Sequence, residues 1–444
     1  MRKYISLIIL ISILSVYAQA NFSMEMRLRS EMANLNSSNA DKQVYNREAD
    51  VRLRPGIGYK INDFLAVKTV LEIGDIKYGT NGGAVGTDGK NLKTKNIFMD
   101  VMPTENHLFR IGLLPYKDAH SMILDSDLAG ILWDGSFNKY SVKVGWFAAE
   151  DRGEEYIDET TYSFGTSVFL ADMEYKINKM FTVGANNIFV LSRDGYGTAV
   201  RRDGVSIFFA PRLQASIGLF HVDAQFVANN NYATYTPYEP GPGFTQPWDP
   251  DKTGLALSVK SKFEMDDQTT FRANLLFRGC YENWENYEAY DSFYDTGLEI
   301  INENANGIDT HNPMNEFTSA NGFQLGVVVP SLFVDWKYTD NVTFTGGFGF
   351  IMNDQNYELK VDVYDPLESI NDDMFIAWEL DLKAKVSLYN DQINFYPYLA
   401  LFVPTDKFAY NKVDNTGTPI NFTDDLEPAT DMQLKIGTTV KYNF

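Results

Sequence analysis

Asp431-Met432-Gln433-Leu434-Lys435-Ile436-Gly437-Thr438-Thr439-Val440-Lys441-Tyr442-Asn443-Phe444 is the stretch on which the reading of the fold turns. Met432, Leu434, Ile436, Val440, Tyr442 and Phe444 alternate with Asp431, Gln433, Lys435, Gly437, Thr439, Lys441 and Asn443. Successive side chains of an extended chain point to opposite faces, so this spacing predicts a β-strand with one apolar and one charged face.

The same phase recurs toward the N-terminus. Phe22, Met24, Met26 and Leu28 alternate with Ser23, Glu25, Arg27 and Arg29. Val51, Leu53, Ile57 and Tyr59 stand against Asp50, Arg52, Arg54 and Lys60, and Leu65, Val67, Leu71 and Ile73 against Lys68 and Glu72. Leu257, Val259 and Phe263 oppose Ser258, Lys260, Lys262 and Glu264, and Trp378, Leu380, Leu382 and Val386 oppose Glu379, Asp381, Lys383 and Lys385. No helix-period segment interrupts the series. Periodicity alone leaves a soluble sandwich and a closed membrane barrel both open, because a sandwich also alternates with its charges toward water.

The connections separate the two. Ile61-Asn62-Asp63, Pro103 to Asn106, Ile177-Asn178-Lys179, Asp266-Asp267-Gln268, Thr339-Asp340-Asn341 and Asn390-Asp391-Gln392 are tight polar turns, all on one side when strands are counted in order. Long polar stretches at 75–94, 115–127, 150–160, 229–253, 279–321, 353–373 and 404–430 occupy the other side. Short turns on one face and long loops on the other are the pattern of an all-β, transmembrane antiparallel β-barrel. The count is about eighteen strands, with sixteen as the alternative because 128–133 and 205–215 alternate weakly.

The first twenty residues read as a secretory signal peptide: a basic start at Arg2 and Lys3, an apolar run from Ile5 to Val16, and Ala18-Gln19-Ala20 before the expected cleavage. The barrel is then expected over 21–444. Removing Arg2 and Lys3 takes the formal charge from −21 to −23, which excludes a nucleic-acid partner. Aromatics make up 14% of the chain, enough for the girdles a barrel places at its two lipid–water interfaces. Cys280 stands alone, so no intrachain disulfide forms, and it reads as a small apolar filler at a strand end.

With Phe444 as its final residue, the closing strand resembles the C-terminal signal by which the barrel-assembly machinery recognises outer-membrane barrels. Thr87-Asp88-Gly89-Lys90-Asn91-Leu92-Lys93-Thr94-Lys95, leading into Ile97-Phe98-Met99-Asp100 and Pro103, resembles a stretch of the trimeric bacterial porins. So does Phe109-Arg110-Ile111-Gly112-Leu113-Leu114-Pro115 followed by Ile123-Leu124-Asp125-Ser126-Asp127-Leu128-Ala129-Gly130. The resemblance implies a homotrimer in outer-membrane lipid and a third loop that folds inward to narrow the pore. It further implies passive diffusion of small hydrophilic solutes and ions.

In such a pore the electrostatics of the narrowest part would govern passage. The strand phases place Arg27, Arg29, Arg52, Arg54 and Lys68 on the lumen face of the first three strands, and barrel closure adds Lys435 and Lys441 beside them as one basic wall. Asp118, His120, Asp125 and Asp127 would face that wall from an inward third loop. The plainer reading is that these cations solvate the lumen and pair with Glu25, Asp50 and Glu72. Glu150, Asp151, Glu154, Glu155, Asp158 and Glu159 form one acidic loop, and Glu282, Glu285, Glu288, Asp291, Asp295 and Glu299 another. Their spacing matches no Ca²⁺ motif, so no metal and no cofactor is expected. Tyr232, Tyr235, Tyr238, Phe244 and Trp248 would make an aromatic loop able to stack sugars, join protomers or simply pack.

Other function classes fit less well. A barrel enzyme needs a His near a Ser or an acid, and none of His107, His120, His221 and His311 sits in such a motif. A plugged transporter needs a folded domain before the first strand. A channel selective for a sugar or an organic anion, and a structural or adhesive surface barrel, remain the alternatives.

Overall fold

The computed structural model describes residues 19–36, 43–77, 92–150, 166–192, 202–235, 251–281, 285–286, 296–300, 327–353, 375–404, 409–411, 426–428 and 432–444. The expected signal peptide, all but its last two residues, lies outside them. Eighteen strands among these residues form one sheet. The first six are β1 (Gln19–Asn36), β2 (Gln43–Asn62), β3 (Leu65–Lys77), β4 (Leu92–Thr104), β5 (His107–Lys117) and β6 (Asp125–Phe137). Next come β7 (Tyr140–Glu150), β8 (Thr166–Lys176), β9 (Phe181–Ser192), β10 (Arg202–Ile217), β11 (Phe220–Tyr235) and β12 (Asp251–Glu264). The last six are β13 (Thr269–Arg278), β14 (Val327–Thr339), β15 (Val342–Asn353), β16 (Phe375–Leu388), β17 (Ile393–Pro404) and β18 (Gln433–Asn443).

Every strand pairs antiparallel with its neighbours in sequence, and β18 pairs with β17 on one side and β1 on the other. The sheet is therefore closed and has no free edge. Closure is completed by the last residue, whose N–H and C=O exchange bonds of 2.9 and 3.0 Å with Met24. The count is eighteen, and both weakly alternating stretches are strands, β6 and β10.

The six expected turns are present. Two more, at Asn138-Lys139 and Gly218-Leu219, join strands where the sequence pattern indicated no turn. Asn138 and Gly218 carry the positive φ, 45° and 61°, that such short hairpins require. At 265–268 Asp266 accepts the N–H groups of Gln268 and Thr269 at 2.8 and 2.6 Å, which hold its carboxyl below the ordinary carboxylate range. Residues 37–42, between β1 and β2, and 193–201, between β9 and β10, lie outside the described residues.

Apolar residues of the outward phase are bare. Ile57, Leu332 and Leu382 are 51%, 63% and 53% exposed, and Leu92, Met173, Phe209 and Trp336 belong to the same belt. Leaving each such side chain in water forfeits about 1.5–3 kcal/mol of burial, so the belt is a lipid contact. The structure is a membrane-spanning barrel. Leu332→Arg on the middle of β14 is expected to lower stability in lipid vesicles by about 2–4 kcal/mol. Urea unfolding followed by tryptophan fluorescence measures this, and an unchanged midpoint would place β14 away from the acyl chains.

Candidate pore lumen and its two inward segments

The inward phase of β1 to β4 and β18 carries the expected basic wall. Arg27 lies directly opposite Arg52 on β2 and opposite Lys441 on β18, so three cations share one row across the seam of the barrel. Each cation of the wall nevertheless has company. Asp50 serves both Arg27 (3.4 Å) and Arg29, Glu25 serves Arg52 (2.6 Å) and Arg54 (3.6 Å), and Glu72 serves Arg54 (2.6 Å) and Lys93 (3.1 Å). Asp100 lies 3.4 Å from both Lys68 and Arg110, Lys435 lies 3.7 Å from Glu31, and Lys441 sits 5.3 Å from the ring of Tyr396. Carboxylates that each serve two cations leave this arc with a cationic surplus. Pairing and surplus coexist.

Residues 118–124, between β5 and β6, fold into the lumen. The expected loop 115–127 is shorter in fact, since Asp125 and Asp127 already belong to β6. Asp118 is not a charge aimed at the basic wall. Its carboxylate accepts the N–H groups of Met122, Ile123 and Leu124 at 3.1, 2.9 and 2.8 Å, and that of the Gln225 amide at 3.3 Å. A buried non-strand segment has orphan amides, and leaving one unmet costs about 1–3 kcal/mol, so Asp118 is consumed in satisfying its own loop. Asp125 pairs with Lys117 at 2.9 Å and Asp127 with Lys95 at 2.5 Å. Met122, Ile123 and Leu124 are buried in one apolar cluster with Leu114, Leu128, Leu132, Phe147 and Phe208.

His120 reaches across the lumen to the far wall. Its Nδ1 lies 2.8 Å from Ser258 Oγ on β12, its Nε2 3.0 Å from Asp223 Oδ1 on β11, and its N–H donates to Gln225 at 2.9 Å. Hydroxyl, imidazole and carboxylate in line have the composition of a nucleophilic triad. Ser258 and His120 are both 4% exposed, Asp223 is also held by Arg212 at 2.5 Å, and the line ties the segment to β11 and β12. Tyr116 strengthens it by accepting from Asn186 on β9 at 2.7 Å.

A second inward segment, 296–300, went unforeseen. Glu379 on β16 accepts the N–H groups of Glu299 and Ile300 at 2.9 and 2.7 Å, and Asp381 accepts that of Glu299 at 3.0 Å. Lys383 donates to the Gly297 carbonyl at 2.7 Å and pairs with Glu299 at 2.8 Å. Gly297 has φ +82°, and a Cβ there would lie 2.8 Å from the Phe333 ring, so only glycine fits. Glu299, expected among the acids of an outer loop, is 1% exposed inside the lumen, drawn there by Lys383. A dense run of both charge signs on the inward face of one strand, Glu379-x-Asp381-x-Lys383, was the available signal.

Tyr232 and Tyr235 lie in β11 rather than in a loop, while Tyr238, Phe244 and Trp248 fall outside the described residues, as do Asp151 to Glu159, Glu282, Glu288, Asp291, Asp295 and His311. His107 opens β5 and accepts from Trp133 Nε1 at 3.1 Å, part of an aromatic group with Phe137 near the short turns.

No protein-family model and no curated protein matches the chain. Solved structures do match it in shape. OccK9 (OpdG) of Pseudomonas aeruginosa superposes with a TM-score of 0.56 at 11% identity, covering 96% of this chain and 99% of that one. OccK8 (OprE) of the same organism gives 0.54 at 11% identity over 96% and 98%, and OprD gives 0.51 at 11% over 96% and 95%. The chain has the fold of an outer-membrane porin. With the bare apolar belt, that fold makes it a β-barrel of the cell outer membrane.

Asp118→Ala in this porin-fold barrel is expected to release segment 118–124. Single-channel recording should then show larger, noisier conductance steps, because three backbone amides lose their acceptor at once. Steps identical to those of the unaltered protein would mean that the segment does not narrow the lumen.

Proposed function

We propose that the barrel is a water-filled channel through which small hydrophilic solutes and ions cross the outer membrane by passive diffusion, with no chemistry of its own. A closed sheet of this size leaves an aqueous interior unless it is filled. The observation that carries the reading is the row Arg27, Arg52 and Lys441, three like charges directly opposite one another across neighbouring strands. Each such juxtaposition costs roughly 0.2–1 kcal/mol relative to neutral pairs. A lumen that merely needed solvating would alternate signs along the row. A row of one sign supports a role in passage, in which Arg27, Arg29, Arg52, Arg54, Lys68, Lys435 and Lys441 line one wall and the segment bearing Asp118 and His120 narrows the opening.

The same row favours a second, finer reading in which passage is selective for organic anions. A structural or adhesive surface barrel would not conduct. The homotrimer, removal of residues 1–20 and delivery through the assembly machinery by Phe444 belong to the proposal as well. Conductance steps arriving in triplets support the trimer, and single steps count against it.

Neutralising the row by Arg27→Gln, Arg52→Gln and Lys441→Gln together is expected to shift the reversal potential across a salt gradient toward cation preference. The measurement is made in planar bilayers with purified, folded barrel. An unmoved potential would remove these residues from the passage of ions, and a silent bilayer would overturn the channel itself.

A further inference from the structure

Opposite the basic wall, on the short-turn half of the lumen, the inward faces of β9 to β13 line a half-open cavity of about 490 Å³. Lys179, Lys260, Lys262 and Arg272 line it, against a single lining carboxylate, Asp223. In a chain of formal charge −21 this is a local reversal of sign. The acids nearest to it are each already paired, two of them with cations of the lining itself. Asp223 is held by Arg212 at 2.5 Å and by Gln214 at 2.9 Å, and Glu264 pairs with Lys262 at the rim. Asp335 binds Arg272 through Nε and Nη2 at 2.5 and 2.9 Å.

Arg272 is the fixed member of the set. Besides Asp335, the ring of Phe333 lies 4.8 Å beneath its guanidinium, so the group is oriented before any ligand arrives. Lys179 and Lys262 stand at the turns, with stems long enough to adjust to a guest. Gln214, Ser261 and Asn274 add neutral hydrogen-bonding groups to the lining. Both inward segments border the space: Gly297 of the second contributes to its lining, and Asp223, which meets His120 of the first at 3.0 Å, forms part of its wall. The cavity therefore lies next to both inward segments, and its volume falls in the range of small-molecule sites.

We propose that this cavity binds a small multivalent oxyanion, of the chemistry of inorganic phosphate, on the short-turn side of the constriction. The proposal rests on the channel reading for its route of entry but adds a resting place on the wall opposite the Arg27 row. An oxyanion there accepts charge-assisted bonds from the lysines and meets the guanidinium already oriented by Asp335.

Calorimetric titration of inorganic phosphate into the folded, detergent-solubilised barrel tests the site, with bilayer conductance of the same preparation measured in parallel. The unaltered protein is expected to bind phosphate. Lys179→Gln, Lys260→Gln and Lys262→Gln together should weaken binding roughly tenfold or more through the loss of charge-assisted contacts. Lys385→Gln, elsewhere on the ring beside Asp391, should leave it intact. A conducting barrel that gives no phosphate binding, or a triple variant that binds as tightly as the unaltered protein, overturns the site and leaves the channel standing. Phosphate binding by a barrel that does not conduct overturns the channel and leaves the site. Should the triple variant not fold, sidedness decides: phosphate must block current at lower concentration from the short-turn face than from the loop face, and equal block from both faces overturns the proposal.

Discussion

Everything in this molecule depends on the requirement that backbone N–H and C=O groups in lipid be satisfied within the protein. The sheet meets it by closing on itself. The register of β1 against β18, from Glu25↔Asn443 to Asn34↔Leu434, leaves neither strand an open edge, and the Met24–Phe444 exchange carries the ladder to the last residue. Closure then dictates the rest. It makes Arg27 and Lys441 neighbours although they lie at opposite ends of the chain, and it leaves two faces, one for lipid and one for whatever the lumen holds.

The lumen face meets the opposite demand. Charges partly withdrawn from bulk water must be paired, and the arc from β18 to β4 does so with carboxylates shared between cations. Tyr398 shows how far packing serves this. Its hydroxyl donates to Glu31 at 2.8 Å, passing through the space a side chain at Gly437 would fill, where a Cβ would stand 2.4 Å from the hydroxyl oxygen. Glu31 in turn faces Lys435, which reaches the Glu299 carbonyl at 3.4 Å, so the wall and the second inward segment form one connected polar lattice.

Alternation was legible wherever a strand has lipid on one side and polar lumen on the other, which is why the closing strand and β1 to β3 could be read directly. It failed in β6 and β10 for a physical reason. Leu128, Leu132 and Phe208 point inward and are 4%, 2% and 2% exposed, packed in the cluster that includes Met122, Ile123 and Leu124, while Ile131 and Phe209 on the same strands face outward. A strand that is apolar on both faces has lost its period because something apolar occupies the lumen beside it. The weakness that left sixteen strands open was thus the mark of the inward segment itself. Segment 296–300 left a fainter trace, since its anchors are charged and Glu379, Asp381 and Lys383 keep the expected phase. What sequence could not supply was the partner: nothing local says that Glu379 meets the amides of Glu299 and Ile300, some eighty residues away.

The two inward segments answer the same problem in different ways, and the difference bears on how the lumen is held. Residues 118–124 carry their own acceptor: Asp118 satisfies three of the segment's amides, and the apolar side chains add a hydrophobic seat. Part of its geometry is thus held by bonds within the segment, in addition to its contacts with Gln225, Ser258 and Asp223. Residues 296–300 borrow their acceptors from the wall, and their withdrawal would strand Glu379 and Asp381, both fully buried, without the amides they serve. The first segment therefore owes its geometry in part to its own acceptor, and the second owes its geometry to acceptors on the wall. The width of the lumen is set on one side by a segment's internal geometry and on the other by the wall's own charges.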